Sequence, residues 1–233
     1  MSITFFGHAC FKIVSPDGTN IVIDPWLKNN PQAVDAFENV GKTDYILVSH
    51  GHGDHFGDTL ELAEQSGATV ISIHEISQYL LLKGIPEERN IGMNKGGTVV
   101  LGDTRVTMVH ALHSSSITED DHIIYAGDAA GFVMRFNNGF SLYYAGDTSV
   151  FGDMKLIADM YKPELAILPI GDHYVMGPEE GRWACQLINP HYVIPMHFGT
   201  FPVLTGTPDT FQKLMVKMPR VTIVVMKPGE TIQ

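Results

Sequence analysis

The feature that most constrains this chain is an apolar strand that runs directly into a cluster of ionisable side chains. DYILVS, residues 44–49, is followed by HGHGDH, which contains His50, His52, Asp54 and His55. Such side chains repel one another when charged, and they are costly to desolvate unless a cation shares them. The fold is therefore expected to bring the end of this strand to a place where a metal ion meets ligands from other segments.

The spacing within the cluster suits two metal ions. In an extended segment His50 and His52 point to the same side, whereas Asp54 and His55 follow the next bend and face a different direction. One tight loop would then supply two ligands to one ion and two to its neighbour. Two ions about 3.5–4 Å apart are a common hydrolytic arrangement. The intervening glycines would permit a positive φ and a close approach of the backbone to an ion.

The other segments predict an α/β protein. Short apolar strands open the sequence, and helices are predicted over 55–67 and 74–84. The segment 25–42 has weak periodicity and is expected to be a loop, with or without a short helix. Asn137-Asn138-Gly139 predicts a hairpin between two strands. In the last third strands alternate with helices, among them a helix over PEEGRWACQLI, residues 178–188, and the strand YVIPM, residues 192–196.

This pattern predicts an α/β four-layer αββα sandwich. Strand-rich stretches flanked by helices occur twice, which favours two sheets packed face to face with helices outside. No linker and no low-complexity segment divides the 233 residues, so residues 1–233 are expected to form a single domain. Ligands from loops at one edge of the two sheets would meet in a shared cleft.

Charge and composition exclude several classes of partner. The formal net charge of −11 disfavours nucleic acid and anionic membranes as partners, and leaves a small-molecule substrate, with or without a homo-oligomer. The N-terminal stretch predicts strands and lacks the features of a signal peptide. No apolar run approaches the length of a membrane span. Cys10 and Cys185 are interpreted as buried thiols, which fits a cytoplasmic protein.

These motifs resemble the signature of the metallo-β-lactamase superfamily. HGHGDH, IVIDP ahead of it, HSS at 113–115, YYAGDT at 143–148 and PMHFGTF at 195–201 match that pattern over nearly the whole chain. FFGHACF and LPIGDHYVMGPEE are more similar to one branch, the metal-dependent hydrolases related to L-ascorbate-6-phosphate lactonase. The resemblance implies the same αββα sandwich as the periodicity.

The resemblance also implies a set of metal ligands. The first ion would be held by His50, His52 and His113, and the second by Asp54, His55 and His197, with Asp147 bridging both. A water or hydroxide between the ions would be the nucleophile. Asp24 would support the histidine loop by hydrogen bonds without being a ligand.

Two of these assignments have an alternative in the sequence. His110 ends the strand RVTMVH, whereas His113 lies just beyond it and is preferred as the ligand. YAGD occurs twice, and it offers Asp128 and Asp147 as the bridging carboxylate. Asp147 is preferred because it closes the better-defined strand and is followed by threonine.

Other polar residues are candidates for roles around the metals. His173 is a candidate catalytic residue, by substrate binding or proton donation, with a structural loop histidine as the alternative. Asp54 is a catalytic candidate as well as a ligand. His8 is expected to border the cleft, and Ser114 and Ser115 to offer hydrogen bonds to a substrate. The remaining histidines are interpreted as surface or capping residues: His74, His122 and His191.

The predicted function is a metal-dependent hydrolase with a dinuclear site, acting on a small ester, lactone or phosphate-bearing metabolite. Its cofactors would be two divalent ions, with Zn²⁺ preferred and Mn²⁺ or Fe²⁺ as alternatives, since imidazole and carboxylate ligands suit all three. The alternatives in function are a di-iron redox protein and a non-catalytic metal-binding sensor of the same fold.

Overall fold

The N-terminal half forms the first of two sheets and its helices. A computed structural model describes residues 1–33 and 36–233. The strands are β1 (Ser2–Gly7), β2 (Cys10–Val14), β3 (Asn20–Ile23), β4 (Tyr45–Leu47), β5 (Thr69–Ile73) and β6 (Asn90–Met93). The helices are α1 (Ala36–Asn39), α2 (Gly53–Phe56), α3 (Thr59–Ser66) and α4 (His74–Leu82). The short helix α1 lies in the predicted loop 25–42, of which positions 34 and 35 fall outside the described residues.

The C-terminal half forms the second sheet, a separate hairpin, one edge strand of the first sheet and three further helices. The strands are β7 (Thr98–Leu101), β8 (Thr104–His110), β9 (Ser116–Glu119), β10 (His122–Tyr125), β11 (Ala130–Arg135), β12 (Ser141–Tyr144), β13 (Leu165–Pro169), β14 (Tyr192–Met196), β15 (Thr222–Ile223) and β16 (Thr231–Ile232). The helices are α5 (Met154–Tyr161), α6 (Pro178–Ile188) and α7 (Pro208–Met215). The predicted hairpin is β11 and β12, which pair antiparallel around Asn137-Asn138-Gly139.

Each sheet has seven strands and is part antiparallel and part parallel. The first has the order β16-β1-β2-β3-β4-β5-β6 and is parallel from β3 to β6. The second has the order β15-β14-β13-β12-β11-β8-β7 and is parallel from β12 to β15. Parallel strands end at the same edge of a sheet. The loops after β3 and β4 therefore lie at one edge of the first sheet, and the loops after β12 and β14 lie at one edge of the second.

The buried side chains form layers, as an αββα sandwich requires. Along β12, Leu142 and Tyr144 join the core that both sheets share. Tyr143, together with Ala145 just beyond the strand, packs into a second core with residues of α5, α6 and α7. This alternation is the period of two expected of a strand that is covered on both faces. Helices α3 and α4 contact the first sheet, which confirms the predicted four-layer architecture.

The predicted helix over 55–67 is two helices, which corrects the sequence interpretation. The chain turns at Gly57, where φ is +33°. A Cβ at this position would lie 2.8 Å from the carbonyl oxygen of Pro25 and 2.8 Å from Cα of Trp26. The close approach of the loop after β3 therefore ends α2 and requires glycine here.

Two further expectations concern cysteines and membranes. Cys10 and Cys185 are both free and buried, which confirms the interpretation as buried thiols. Within residues 1–33 and 36–233, every helix is too short or too polar to traverse a lipid bilayer.

Candidate metal centre

The loop after β4 carries the first group of candidate ligands. The chain leaves this buried strand through Ser49 and enters His50 and His52. Nε2 of His50 lies 3.0 Å from Nδ1 of His52. His113, from the loop after β8, joins them, and the three offer ligand atoms within 4.8 Å of one another. Two nitrogen ligands about 2.0–2.1 Å from a tetrahedral zinc ion lie about 3.3 Å apart, which is close to the observed spacing.

A second group of candidate ligands lies beside the first. Asp54 and His55 are in α2, and His197 follows β14. Together with His8, from the turn between β1 and β2, they offer ligand atoms within 4.8 Å of one another. Nε2 of His197 lies 3.8 Å from Oδ2 of Asp54. The loop after β4 thus contributes His50 and His52 to the first group, and helix α2 contributes Asp54 and His55 to the second. The spacing of these four residues in the sequence predicts this division.

Asp147 lies between the two groups. It follows β12, it is buried, and its Oδ1 lies 3.2 Å from Nε2 of His55. Its Oδ2 lies 3.1 Å from Nε2 of His197. The same oxygen is 3.7 Å from Nε2 of His113 and 3.9 Å from Nε2 of His50. One carboxylate therefore approaches nitrogen atoms of both groups, which is the position of a bridging ligand.

Several buried polar atoms at this centre make no hydrogen bond within the protein. They are Nε2 of His55, both ring nitrogens of His197 and Oδ1 of Asp147. Buried polar atoms are costly when they lack a partner, and each such atom calls for an explanation. Imidazole nitrogens and a carboxylate oxygen that converge without pairing are the donor set that a divalent ion takes. The residues present therefore fit a metal.

The charges of the groups also suit a cation. Burial alone would raise the pKa of Asp147, but the rings of His197 and His55 hold it well below its usual value. Burial lowers the pKa of His50 well below its usual value and lowers that of His113. The carboxylate is therefore ionised and these two rings are neutral near pH 7, which are the forms that bind metals.

Asp24 anchors the centre from the buried end of β3. Its Oδ1 accepts from the backbone N–H of Ser49 at 2.8 Å. Its Oδ2 accepts from the Ser49 hydroxyl at 2.6 Å, from Nδ1 of His55 at 2.8 Å and from the Tyr144 hydroxyl at 2.7 Å. Because the Ser49 hydroxyl donates to Asp24, it accepts from Nδ1 of His50 at 3.0 Å. Both rings are thus protonated at Nδ1 and present Nε2 to the centre.

The glycines of the cluster act differently from the sequence interpretation. Neither Gly51 nor Gly53 has a positive φ. A Cβ on Gly51 would lie 2.6 Å from Cβ of Ala126 and 3.0 Å from Cγ1 of Ile117, so this position requires glycine for close packing against the β9–β10 region. A Cβ on Gly53 would meet nothing within 4 Å, and this glycine opens α2.

The structure separates the paired alternatives that the sequence left open. Nδ1 of His110 lies 3.0 Å from Nζ of Lys95, and the same Nζ lies 3.2 Å from Oδ2 of Asp128. The Asp128 side chain is 71% exposed. His110 and Asp128 thus share a lysine outside the two ligand groups, whereas His113 and Asp147 lie within 3.7 Å of each other.

The serines after His113 have different environments. The hydroxyl of Ser115 accepts from the backbone N–H of Gly51 at 3.1 Å and donates to the carbonyl of Ala126 at 3.0 Å. Ser115 therefore holds the histidine loop in place, and this use replaces the expected contact with a substrate. Ser114 is exposed and keeps its hydroxyl available.

His173 lies in the exposed loop between β13 and α6. Its φ is +61°, and its ring packs edge-on against Tyr174. The loop is fastened to its neighbours, since Met176 donates to the carbonyl of Thr148 at 3.1 Å and Gly206 to that of Gly171 at 2.9 Å. His173 therefore stands on a loop joined to the one that carries Asp147. Its role stays a prediction.

Two contributions to the centre were not apparent in the sequence. His8 was expected only to border the cleft, but it is fully buried and lies 3.1 Å from Asp54. The Tyr144 hydroxyl reaches Asp24, although the residue was interpreted only as part of a strand. Each pair is distant in sequence, so only the packing of the sheets reveals it. The histidines interpreted as surface residues are exposed: His74, His122 and His191.

Comparisons with known proteins show which family this chain resembles. Residues 19–198 match the family model described as a beta-lactamase superfamily domain. A UPF0173 metal-dependent hydrolase of Rubrobacter xylanophilus is 50% identical over 99% of this chain and 95% of its own length. One from Koribacter versatilis is 47% identical over 99% of this chain and 97% of its own.

A solved structure shares the fold over its full length. Igni18, a metallo hydrolase from the hyperthermophilic archaeon Ignicoccus hospitalis, is 37% identical and superposes with a TM-score of 0.86. The match covers 99% of this chain and 97% of that one.

Proposed function

The chain belongs to the metallo-β-lactamase superfamily and is a metal-dependent hydrolase, and we propose that it uses two divalent ions to hydrolyse a small ester, lactone or phosphate-bearing metabolite. The observation that carries the proposal is the position of Asp147 between two groups of histidines. Its two oxygens lie 3.2 Å from His55 and 3.1 Å from His197. A carboxylate shared in this way balances two cations and holds them close together.

The proposed ligand set is the one that the motifs indicate. The first ion is assigned His50, His52 and His113, the second Asp54, His55 and His197, and both share Asp147. This is more than one tetrahedral ion needs. The donor set contains imidazole nitrogen and carboxylate oxygen without thiolate, which suits Zn²⁺, Mn²⁺ and Fe²⁺; we propose Zn²⁺, with Mn²⁺ and Fe²⁺ as alternatives.

The protein residues position the reaction around these ions. When bound, two divalent ions polarise a carbonyl or phosphoryl oxygen and bring the pKa of a water close to neutrality. Asp24 and Ser49 fix the ring tautomers of His55 and His50, so that both Nε2 atoms stay available. His173 and Ser114, on exposed loops beside the ligand loops, are assigned to hydrogen bonds with the substrate, and His173 to protonation of the leaving group.

We propose that residues 1–233 act as a single metallo-hydrolase domain. The core between the sheets draws on residues from β1 to the end of β14, and ligands come from both halves of the chain. Neither half would form the centre without the other.

Two alternative functions share the fold. A di-iron redox protein of this superfamily tends to carry a carboxylate at the second position of the motif, and position 52 of this chain is histidine. A non-catalytic sensor would not need a complete ligand set, and all seven assigned positions here carry metal-ligand residue types. Both observations favour hydrolysis.

The proposed substrate is small and anionic or polar. A net charge of −11 repels polyanions at long range, whereas two cations in a cleft attract one carboxylate, phosphate or carbonyl oxygen at short range. The experiment compares a phosphorylated lactone, an activated phosphodiester and structured RNA at low salt with metal-loaded protein. We expect turnover of a small substrate, and we expect chelation of the metal to abolish that turnover. Efficient metal-dependent cleavage of the RNA would contradict the proposal.

A further inference from the structure

We propose that His8 is a positioning residue for Asp54 and that it sets the affinity of the second metal position. The proposal rests on the dinuclear site proposed above. It assigns a role to a buried histidine that lies outside the seven ligand positions. The proposal is based on a chain of hydrogen bonds that runs from Thr200 through His8 to Asp54.

The backbone of His8 is held in an uncommon conformation. Its φ is +58°, in the left-handed region that only a few per cent of residues other than glycine adopt, although histidine does so more often than most. The N–H of His8 donates to Oε1 of Gln32 at 3.0 Å, and its carbonyl accepts from the N–H of His197 at 2.7 Å. Gln32 also donates through Nε2 to the carbonyl of Phe198 at 2.9 Å. The turn that carries His8 is thereby fastened to the loop of a proposed ligand.

The ring of His8 makes two hydrogen bonds, and their directions follow from chemistry. Nε2 lies 3.1 Å from Oδ2 of Asp54, and Nδ1 lies 2.8 Å from Oγ1 of Thr200. An ionised carboxylate only accepts hydrogen bonds, so Nε2 of His8 carries the proton and donates. For a neutral ring, Nδ1 is then the acceptor, and the Thr200 hydroxyl donates to it.

This hydrogen bond matters because few other contacts within the protein fix the position of the Asp54 carboxylate. Among residues 1–33 and 36–233, His8 is the one hydrogen-bond donor recorded for the Asp54 side chain, which is 23% exposed. Asp54 is in α2, a helix of four residues. The proposed ligands His50 and His55 have comparable partners in Ser49 and Asp24. His8 completes this arrangement for the second ion.

Packing fixes the plane of the His8 ring. The ring lies 3.9 Å from that of His197, measured between centroids, and 5.1 Å edge-on from Trp26. Phe201 contacts it edge-on at 5.5 Å. The side chain is fully buried, so it cannot contact a substrate. Its effect passes through the proposed ligands that it contacts, by the hydrogen bond to Asp54 and by the packing against His197.

The test measures the affinity of each metal position in the full-length protein, using Zn²⁺ and a competing chelator. His8→Ala is expected to weaken the second ion by about 10–100-fold, the usual cost of losing a hydrogen-bonding partner of a ligand, and to leave the first ion unchanged. His8→Gln is expected to restore most of the affinity, because its amide N–H reaches the position of Nε2. Thr200→Val is expected to give a smaller loss. His110→Gln, a histidine outside the ligand groups, is the matched control.

A second readout reports the proton directly. Nitrogen-15 NMR of histidine-labelled, metal-free protein is expected to show His8 as the neutral Nε2–H tautomer. The Nδ1–H tautomer would overturn the proposal, because Nε2 would then face the carboxylate as a lone pair and act as a ligand. Unchanged affinity of the second ion in His8→Ala would overturn it as well, and where His8→Ala does not fold, unchanged affinity in Thr200→Val would do so. If the wild-type protein binds only one ion, the dinuclear function fails instead, and the tautomer still tests His8.

Discussion

Nε2 of His55 and Oδ1 of Asp147 lie 3.2 Å apart, both buried, and neither atom makes a hydrogen bond. A donor and an acceptor at this distance would ordinarily align, because an unpaired buried polar atom is costly. Here both atoms are left without a partner within the protein, as the ligand atoms of a metal ion would be. This relationship links the loop after β4 to the loop after β12, and the following predictions test it and its surroundings.

Asp147→Asn should weaken both metal ions together, whereas Asp128→Asn should weaken neither. The carboxylate of Asp147 approaches both ligand groups, while that of Asp128 is exposed and pairs with Lys95. The expected loss for Asp147→Asn exceeds about 100-fold in affinity, more than the loss of an outer partner. Elemental analysis after gel filtration measures it, and full metal content in Asp147→Asn would exclude the bridging role.

His113→Ala should abolish hydrolysis and weaken the first ion, and His110→Ala should spare most of both. His113 belongs to the group with His50 and His52, whereas His110 contacts Lys95. Both variants remove one imidazole from the same edge of the second sheet, so they form a matched pair. Metal content and turnover of the same substrate are compared. Loss of metal in His110→Ala alone would reverse the assignment.

Gly51→Ala should lower the free energy of unfolding by about 1–3 kcal/mol, the usual cost of overpacking. The Cβ that this substitution adds would lie 2.6 Å from Cβ of Ala126. Gly53→Ala is the control, since a Cβ there meets nothing within 4 Å. Thermal or denaturant unfolding of the metal-free proteins measures the difference. Equal stability of the two variants would contradict the role given to Gly51.

Metal binding should release protons at neutral pH. Burial alone would lower the pKa of His55, but the charges of Asp147 and Asp24 raise it well above its usual value of 6.5. The metal-free ring is therefore protonated near pH 7, and a cation has to displace that proton. Calorimetry in two buffers of different ionisation enthalpy measures the release, and identical heats in both buffers would argue against it.

The same raised pKa determines how the stability of the metal-free protein depends on pH. The folded state binds this proton more tightly than the unfolded state. The resulting contribution to the free energy of unfolding is therefore complete below pH 6.5, and it is lost as the pH rises through the pKa of His55 in the folded state. Metal-free protein is therefore expected to lose this part of its stability at alkaline pH. Metal-loaded protein, which holds a cation in place of the proton, should not.

Several elements could be predicted from sequence because their signals are local. Helix α6 spans Pro178–Ile188, the predicted segment itself, since proline suits a helix start and the apolar positions repeat with helical spacing. Strand β14 likewise matches the predicted YVIPM. The helix over 55–67 was wrong as a single element, because the break at Gly57 depends on the carbonyl of Pro25, 32 positions earlier in the chain.

The sequence by itself determined the chemistry of the centre. Four side chains of metal-ligand types within six positions are costly to bury without a cation, and their spacing predicts that two of them serve each of two ions. This conclusion depends on residue type and on the geometry of a few adjacent peptide units, which neighbouring residues alone specify.

Only the tertiary structure shows which distant side chains lie beside the histidine loop. His110 and His113, or Asp128 and Asp147, are equivalent ligands by type, and only the pairing of β8, β11 and β12 places one of each beside the histidine loop. The same holds for His8, which reaches Asp54 because β1 and β2 end beside β14. Strand order and register arise from contacts between remote segments, so no local pattern contains them.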